Sequence, residues 1–409
     1  MVEKRHVVIC GAGAAGLTAA IFASEAGADV TILERTDKAG KKILMSGGTR
    51  CNVLPVVMNT SDFFTGSSVN RMKKIFKSWP LNSCKDWFET EIGLRLACEE
   101  SSNKWFPVSN SAKEVRNLLL DKAQENGVSI RYQSAVNSLN KEGDKWLVST
   151  ENKTQMLCDT VVLSTGGYSI PTVGTDGMGH RLLKKMGHTT EPVYAALTPL
   201  RCDYAAHQAL SGLSLDVQLD VYLNGKKEIS SKRSGFLFTH RGYSGPAILD
   251  VSHYAVQAFE NDAPKPEFRV NWDGSSREEW EERLSAGKAT VLNTVRDFLP
   301  KRLAECIIQE CQLAERKVAE LKKAERKKVL MHLTEYTLPV SGHEGYKKAE
   351  VTGGGIPLDE VNTATLQSNL YTNLFLCGEI LDVFGRIGGF NFYWAWVTGR
   401  LAGIHAGKT

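Results

Sequence analysis

Nowhere in the 409 residues is there an uninterrupted apolar run of about eighteen, the length a helix needs to cross a bilayer, so no membrane partner is expected. No charged-then-apolar leader opens the chain; the expected compartment is the cytoplasm, or an organelle interior if a transit peptide has been removed. The nine cysteines form no C-x-x-C pair and no histidines cluster with them, so neither a disulfide framework nor a zinc site is expected. Several cysteines stand in strand-like apolar surroundings, which suits buried free thiols in a reducing compartment. Charge of one sign is also scarce: 50 basic against 46 acidic residues leave +4, too little to argue for nucleic acid by itself. What remains is an ordinary globular composition, 42% hydrophobic and 23% charged, over a length that calls for two or three domains.

The start of the chain is far more specific. His6-Val7-Val8-Ile9-Cys10 reads as a buried strand, and Gly11-Ala12-Gly13-Ala14-Ala15-Gly16 follows it. Gly11 permits a sharp turn, Gly13 lets the backbone approach a pyrophosphate, and Gly16 lets the next helix pack tightly on the strand. Backbone N–H groups at that helix's N-terminus, about Ala14 and Ala15, would face the phosphates. The helix runs through 17–23 and stops near Gly27. A second strand from Asp29 then brings the Glu34 carboxylate to a ribose, with Arg35 beside it. Strand, glycines, helix, strand and acid arrive in order, so an ADP moiety is expected here.

Three further motifs decide which dinucleotide carries that ADP. Gly40-Lys41-Lys42 leads into Ser46-Gly47-Gly48-Thr49-Arg50-Cys51-Asn52; Thr352-Gly353-Gly354-Gly355 comes much later; and the tail holds Gly378-Glu379-Ile380-Leu381-Asp382, then Gly388-Gly389-Phe390-Asn391. With Phe238-Thr239-His240-Arg241-Gly242-Tyr243-Ser244-Gly245-Pro246-Ala247, these resemble the bacterial HI0933-like flavoprotein family over nearly the whole chain. Its members include aminoacetone oxidase-type enzymes, bile-acid enone reductases and a ribosomal-RNA dihydrouridine synthase. The resemblance implies non-covalent FAD on an α/β fold. That fold is a Rossmann-type FAD-binding domain with an inserted β-rich, barrel-like domain and a small helical subdomain.

Boundaries follow from where the flavin motifs stop and resume. The FAD-binding domain takes 1–190 and 349–409, a β-rich substrate domain 191–274, and a helical subdomain with a return strand 275–348. In the insert, Leu215 to Leu223 alternates apolar and polar residues into an Asn224-Gly225 turn. The glycines at 174–179 lack a preceding strand and a third spaced glycine, so a separate nicotinamide domain is rejected.

Other cofactor contacts are expected from Val136 and from Thr165-Gly166-Gly167, where a buried strand ends in glycines. The loop from Ser46 to Asn52 should wrap the pyrophosphate and the flavin's reactive edge, with Arg50 on a phosphate or a ring carbonyl. The family more often has glycine where Thr49 stands. Gly378-Glu379 departs from the usual Gly-Asp pair, leaving either Glu379 or Asp382 to meet the ribityl chain. Gly388 to Asn391 should open a terminal helix, 392–403, toward the flavin.

Cys51 is a candidate general acid, or else a small residue locking its loop. His240 is a candidate acid or base, or else structural. The basic run 315–328 is read as one helix, and Arg71, Lys73, Lys74 and Lys77 with Trp79 as a second basic cluster. Each is a solvated face or an RNA contact. The leading expectation is an NAD(P)H-linked reductase of a conjugated C=C in a small molecule, the nicotinamide visiting transiently. Ribosomal-RNA dihydrouridine synthesis, small-amine oxidation and a non-catalytic redox sensor are the alternatives. Substrate identity and oligomeric state are not legible.

Overall fold

The computed structural model describes residues 4–260, 263–285 and 288–408. Two compact units emerge, one made of Met1–Ala195 with Glu350–Thr409 and the other of Ala196–Ala349.

In the first unit, short apolar segments bury both faces, as central strands of a parallel sheet do, while the edge strand Ser129–Arg131 stays largely exposed. The strands are β1 (His6–Cys10), β2 (Asp29–Leu33), β3 (Ser129–Arg131), β4 (Thr160–Leu163) and β5 (Leu374–Leu376), in spatial order β5-β4-β1-β2-β3 and all parallel. From β1 the chain moves one way to β2 and β3; β4 and β5 lie on β1's other side. The switch point therefore falls between β1 and β4, where ligands bind at the carboxyl ends of such sheets. Two glycine-bearing loops leave the sheet there, Gly11–Gly16 after β1 and Ser164–Gly167 after β4.

Helix α1 (Ala14–Glu25) is almost wholly buried. Helix α2 (Met178–Lys185) follows the 174–177 glycines, and α3 (Phe390–Lys408) ends the unit, running longer at both ends than the sequence suggests. The closeness of α1 and α3 rests on glycine. Cβ atoms at Gly399, Gly403 and Gly407 would stand 2.4, 2.3 and 2.6 Å from the carbonyl oxygens of Ala15, Ala19 and Ala23. One side of α3 thus has no side chains, and the two backbones nearly touch.

The second unit is one body with one core. Its sheet runs Tyr336–Thr337, Pro266–Asn271, Ser214–Leu223, Ser234–Thr239, Gly242–Ser244, Leu200–Arg201, Gly342–His343, all antiparallel, with Lys226–Ser230 branching off Ser214–Leu223. The two end strands are separated only by residues 338–341. Such a link reaches about 18 Å, whereas seven flat strands would span about 29 Å, so the sheet curls round. The Asn224-Gly225 turn takes left-handed φ at both residues, 49° and 77°, as a tight hairpin requires. Helices Arg277–Arg283, Val291–Arg296, Lys301–Cys311 and Lys323–Thr334 pack Trp280, Val291, Ile307 and Leu330 into the same core as Phe236 and Val270. A separate helical subdomain from 275 is therefore absent. Nor is 315–328 one helix. Val318 and Leu321 are both drawn into the core, so the chain makes only a short 3-10 turn, Val318–Glu320, before the α-helix starts at Lys323. Among the described residues no helix is long and apolar enough to cross a membrane.

Candidate functional site

The fingerprint loop is built as a cradle. Gly11 has φ +106°, and a Cβ there would lie 2.8 Å from the Ser164 carbonyl, so only glycine lets the two loops meet. Gly16 packs against Gly11, its Cβ position 1.9 Å from the Gly11 oxygen. Gly13 differs: a Cβ there would meet nothing within 4 Å, so this glycine borders open space. No side chain caps α1 and no acid stands in its first turn, which leaves the N–H groups at Ala14, Ala15 and Gly16 for an anion. Glu34 closes the cradle, accepting from the Ala12 N–H (2.8 Å) and from both the N–H and hydroxyl of Thr36 (2.8 Å each). Ser134 N donates to the Glu34 carbonyl at 2.8 Å, and buried Val136 begins a strand just beyond. Arg35 turns away to Asp176 (2.6 Å) and Glu151 (3.8 Å).

The Ser46–Asn52 loop is tightly wound, with Gly47, Gly48, Thr49 and Cys51 all at φ between 56° and 69°. Ser46 donates to the Ile43 carbonyl. A Cβ on Gly47 would stand 2.6 Å from Asn52 Oδ1, a buried atom with no hydrogen-bond partner. Arg50 is engaged by protein groups. It pairs with Glu99 at 2.8 Å and lies over the Phe106 ring at 3.9 Å. Cys51 is 0% exposed, and burial pushes its thiol up to about 12. A general acid must touch the atom it protonates, and this thiol borders no open space.

The tail motif reaches the same cradle. Gly378, at φ +80°, brings the chain so near α1 that a Cβ would lie 2.8 Å from that of Ala15. Its N–H donates to Thr398 and its carbonyl accepts from Trp394, so α3 fixes this turn. Glu379 is occupied by protein groups: Lys42 at 2.5 Å, Ser169 at 3.0 Å and the Thr352 N–H at 2.9 Å. Burial pushes its carboxyl up, but the Lys42 charge and these hydrogen bonds outweigh that and hold it below the usual range. Asp382 accepts from the Gly66 N–H at 2.8 Å, and burial, with Glu191 adding, raises it to about 6.

Gly167 gives room for Thr352, whose hydroxyl would lie 2.3 Å from a Cβ there; Gly166 is left-handed; Thr165 Oγ1 is buried without a partner. Gly388 and Gly389 are left-handed, the latter pressed on Leu54, and Phe390 meets Phe63 edge-on. Asn391 clips Gly385 through two bonds of 2.8 Å, accepting from its N–H and donating to its carbonyl.

His180 on α2 escaped the sequence reading. It is 3% exposed, stacks on Tyr168 (centroids 5.5 Å apart), and neither ring nitrogen has a hydrogen-bond partner. Burial lowers it to about 4, so the ring is neutral. Only its place next to a glycine-rich turn hinted at it. His240 belongs to the second unit. It is exposed at the turn between Ser234–Thr239 and Gly242–Ser244, and lines a polar cleft with Arg201, Asp203, Gln208 and Arg241.

These residues fit a dinucleotide. The uncapped α1 terminus suits a pyrophosphate, the space beside Gly13 admits it, and orphaned polar atoms of Asn52 and Thr165 stand in the flanking motifs.

Comparison with known proteins agrees. The HI0933-like protein Rossmann domain profile matches residues 5–405. The chain is similar to the ribosomal RNA dihydrouridine synthase of Escherichia coli, 30% identical, covering 96% of each chain. It is also similar to the 3-dehydro-bile acid delta(4,6)-reductase of Clostridium scindens, 29% identical over 98% of this chain and 99% of that one. Among solved structures, the 3-ketosteroid-delta4-(5alpha)-dehydrogenase of Rhodococcus jostii RHA1 shares the fold, with TM-score 0.51, 15% identity, and coverage of 100% and 98%. With a family match spanning almost every residue, the chain belongs to the HI0933-like family and is an FAD-dependent oxidoreductase.

Proposed function

We propose that this enzyme is an NAD(P)H-linked reductase of a carbon–carbon double bond conjugated to a carbonyl. The observation that carries the reading is the similarity, at full length and near-equal identity, to a dihydrouridine synthase and a delta(4,6)-reductase. Making dihydrouridine saturates the uracil C5=C6 bond, which is conjugated to C4=O, so both names describe one type of bond reduction. Bound FAD supplies two-electron hydride chemistry. The chain's part is to hold it: Gly11, Gly13 and the α1 N-terminus at the pyrophosphate, Glu34 at the ribose, and the turns at Thr165–Gly167 and Gly378 around the remainder. Lys42 and Glu379 tie the Gly378 turn to Ser169, just beyond Gly167, and to Thr352 without spending charge on the ligand. One such cradle among the described residues leaves the nicotinamide a transient visitor.

A second reading, uridine within RNA, is favoured by the exposed lysines 317, 322, 323 and 327 beside the Escherichia coli relative's name. Anaerobic mixing tests the first. NADPH or NADH should bleach the flavin, and a conjugated enone should restore its colour faster than air does. Bleaching by small amines with peroxide release would make the protein an oxidase. Silence toward both classes of donor would leave a binding protein.

A further inference from the structure

The core of the second unit contains a polar cluster that the dinucleotide site does not use. Cys202 follows the strand Leu200–Arg201, and His207 sits on the short helix Ala205–Gln208. Cys306 and Glu310 stand one turn apart on Lys301–Cys311, and Tyr243 and Tyr336 come from two strands of the sheet. Cys202 and His207 are 0% and 1% exposed, and Cys306 is buried beside them.

The hydrogen bonds order the imidazole. His207 Nδ1 lies 2.6 Å from the Tyr243 hydroxyl, which in turn donates to Cys202 Sγ at 3.0 Å. Tyr243 has one proton and gives it to sulfur, so Nδ1 must carry the hydrogen of its own bond. Nε2 is then the ring atom turned toward the rest of the cluster. Tyr336 lies 3.1 Å from Nε2, but its proton goes to Glu310 Oε2 at 2.9 Å. Glu310 Oε1 is 3.6 Å from His207 Nε2 and 3.6 Å from Cys306 Sγ. Nitrogen, oxygen and sulfur donors from these three residues all lie within 4.8 Å of one another.

Three ligand atoms thus converge on one point, occupied now by the thiol proton that Cys306 donates to Glu310 and open to a cation that would displace it. Around a tetrahedral zinc, bonds of about 2.0–2.3 Å put neighbouring ligand atoms about 3.3–3.6 Å apart, close to the two separations of 3.6 Å. A thiolate, a carboxylate and a neutral imidazole carry two negative charges, matching one divalent ion. The chain from His207 through Tyr243 to Cys202 orients the ring from behind, as the outer partners of metal-bound histidines do. Glu310 keeps 15% of its side chain exposed, and the ring of half-exposed Tyr204 lies 5.2 Å from His207, which marks a way in.

We propose that His207, Cys306 and Glu310 form a three-ligand site for a zinc-class divalent metal, with its fourth position open to solvent. Binding frees the Cys306 thiol proton to water, so affinity weakens toward acid pH. The ion would staple Lys301–Cys311 to the Ala205–Gln208 turn.

The test uses FAD-loaded protein kept under a thiol reductant, supplied with zinc and freed of excess by gel filtration. Elemental analysis should find about one zinc per FAD, falling at least about tenfold in Cys306→Ser and Glu310→Gln. Native protein that retains no more zinc than these variants overturns the proposal. Should either variant misfold, cobalt added to the native protein decides. Intense tetrahedral bands in the red, beyond the flavin's absorption, support the site, and a weak octahedral spectrum overturns it.

Discussion

Two glycines three residues apart do opposite jobs, and substitution separates them. Gly13 has φ −79° and ψ −170°, which any residue adopts, and open space where its Cβ would stand. Gly13→Val should therefore fold normally and purify colourless, a result read from thermal melting and flavin absorbance together. Gly16→Ala drives a carbon onto the Gly11 carbonyl and should cost about 3 kcal/mol of stability; equal melting of the two variants would contradict the division. Thr49 is a β-branched residue at φ 69°, a conformation costing about 1–2 kcal/mol outside glycine. Thr49→Gly should stabilise the protein in urea by about 1 kcal/mol, after glycine's greater freedom in the unfolded chain is subtracted. Buried Asp382 and His180 set opposing pH dependences. The aspartate's folded value of about 6 exceeds its unfolded 3.8, so its contribution falls as pH rises through that window. For the histidine, lowered from 6.5 to about 4, stability is complete above 6.5 and lost as pH falls toward 4. Asp382→Asn, whose amide oxygen still accepts from Gly66, should gain about 1–3 kcal/mol at pH 8 and nothing at pH 3.5. A gain independent of pH would show that the buried charge is not its source.

At the scale of elements, the contact of α1 with α3 gives the sharpest test. Replacing Gly403 by alanine adds helix propensity worth about 1 kcal/mol, yet places a carbon 2.3 Å from the Ala19 carbonyl. Overpacking should win, with a net loss of about 1–3 kcal/mol in chemical denaturation; a stabilised variant would mean the helices can part cheaply. The sequence displayed the first βαβ unit because turn, helix and strand signals there are local and mutually consistent. It also displayed the Asn224-Gly225 hairpin, where two residues decide the geometry. It misjudged 315–328, since charge spacing resembles a helix while the tertiary pull on Val318 and Leu321 overrides it. Arg50 was read by charge, but its destination depends on Glu99, a partner far along the chain. The 306–310 pair was hidden differently. One helical turn separates these residues, while the histidine that meets them lies on another helix.

For the whole molecule, the question is which substrate class the surface favours. Several basic side chains that seemed free for phosphate are already engaged. Lys328 donates to the Glu310 and Cys311 carbonyls, Arg316 pairs with Glu325 at 3.1 Å, and Arg71 pairs with Asp359. Trp79 lies beyond the helix Val69–Lys77 and is only 5% exposed, so it is no stacking platform. Reversing Lys317, Lys322, Lys323 and Lys327 to glutamate should leave FAD binding and enone reduction unchanged. Loss of dihydrouridine formation in that variant, with RNA affinity in the parent falling steeply with salt, would establish the RNA reading instead.

The first unit is assembled from segments on either side of residues 196–349, and this sets an order of events during synthesis. A ribosome extends the chain by about 5–20 residues each second, so the second unit emerges complete before β5, Gly378 or α3 has emerged. Until then β4 is an open sheet edge and α1 lacks the glycine face it packs on. The enclosed unit can therefore fold before the unit that hosts it. Cofactor capture then waits until α3 has emerged, which makes a chain truncated before α3 a colourless protein with a folded middle.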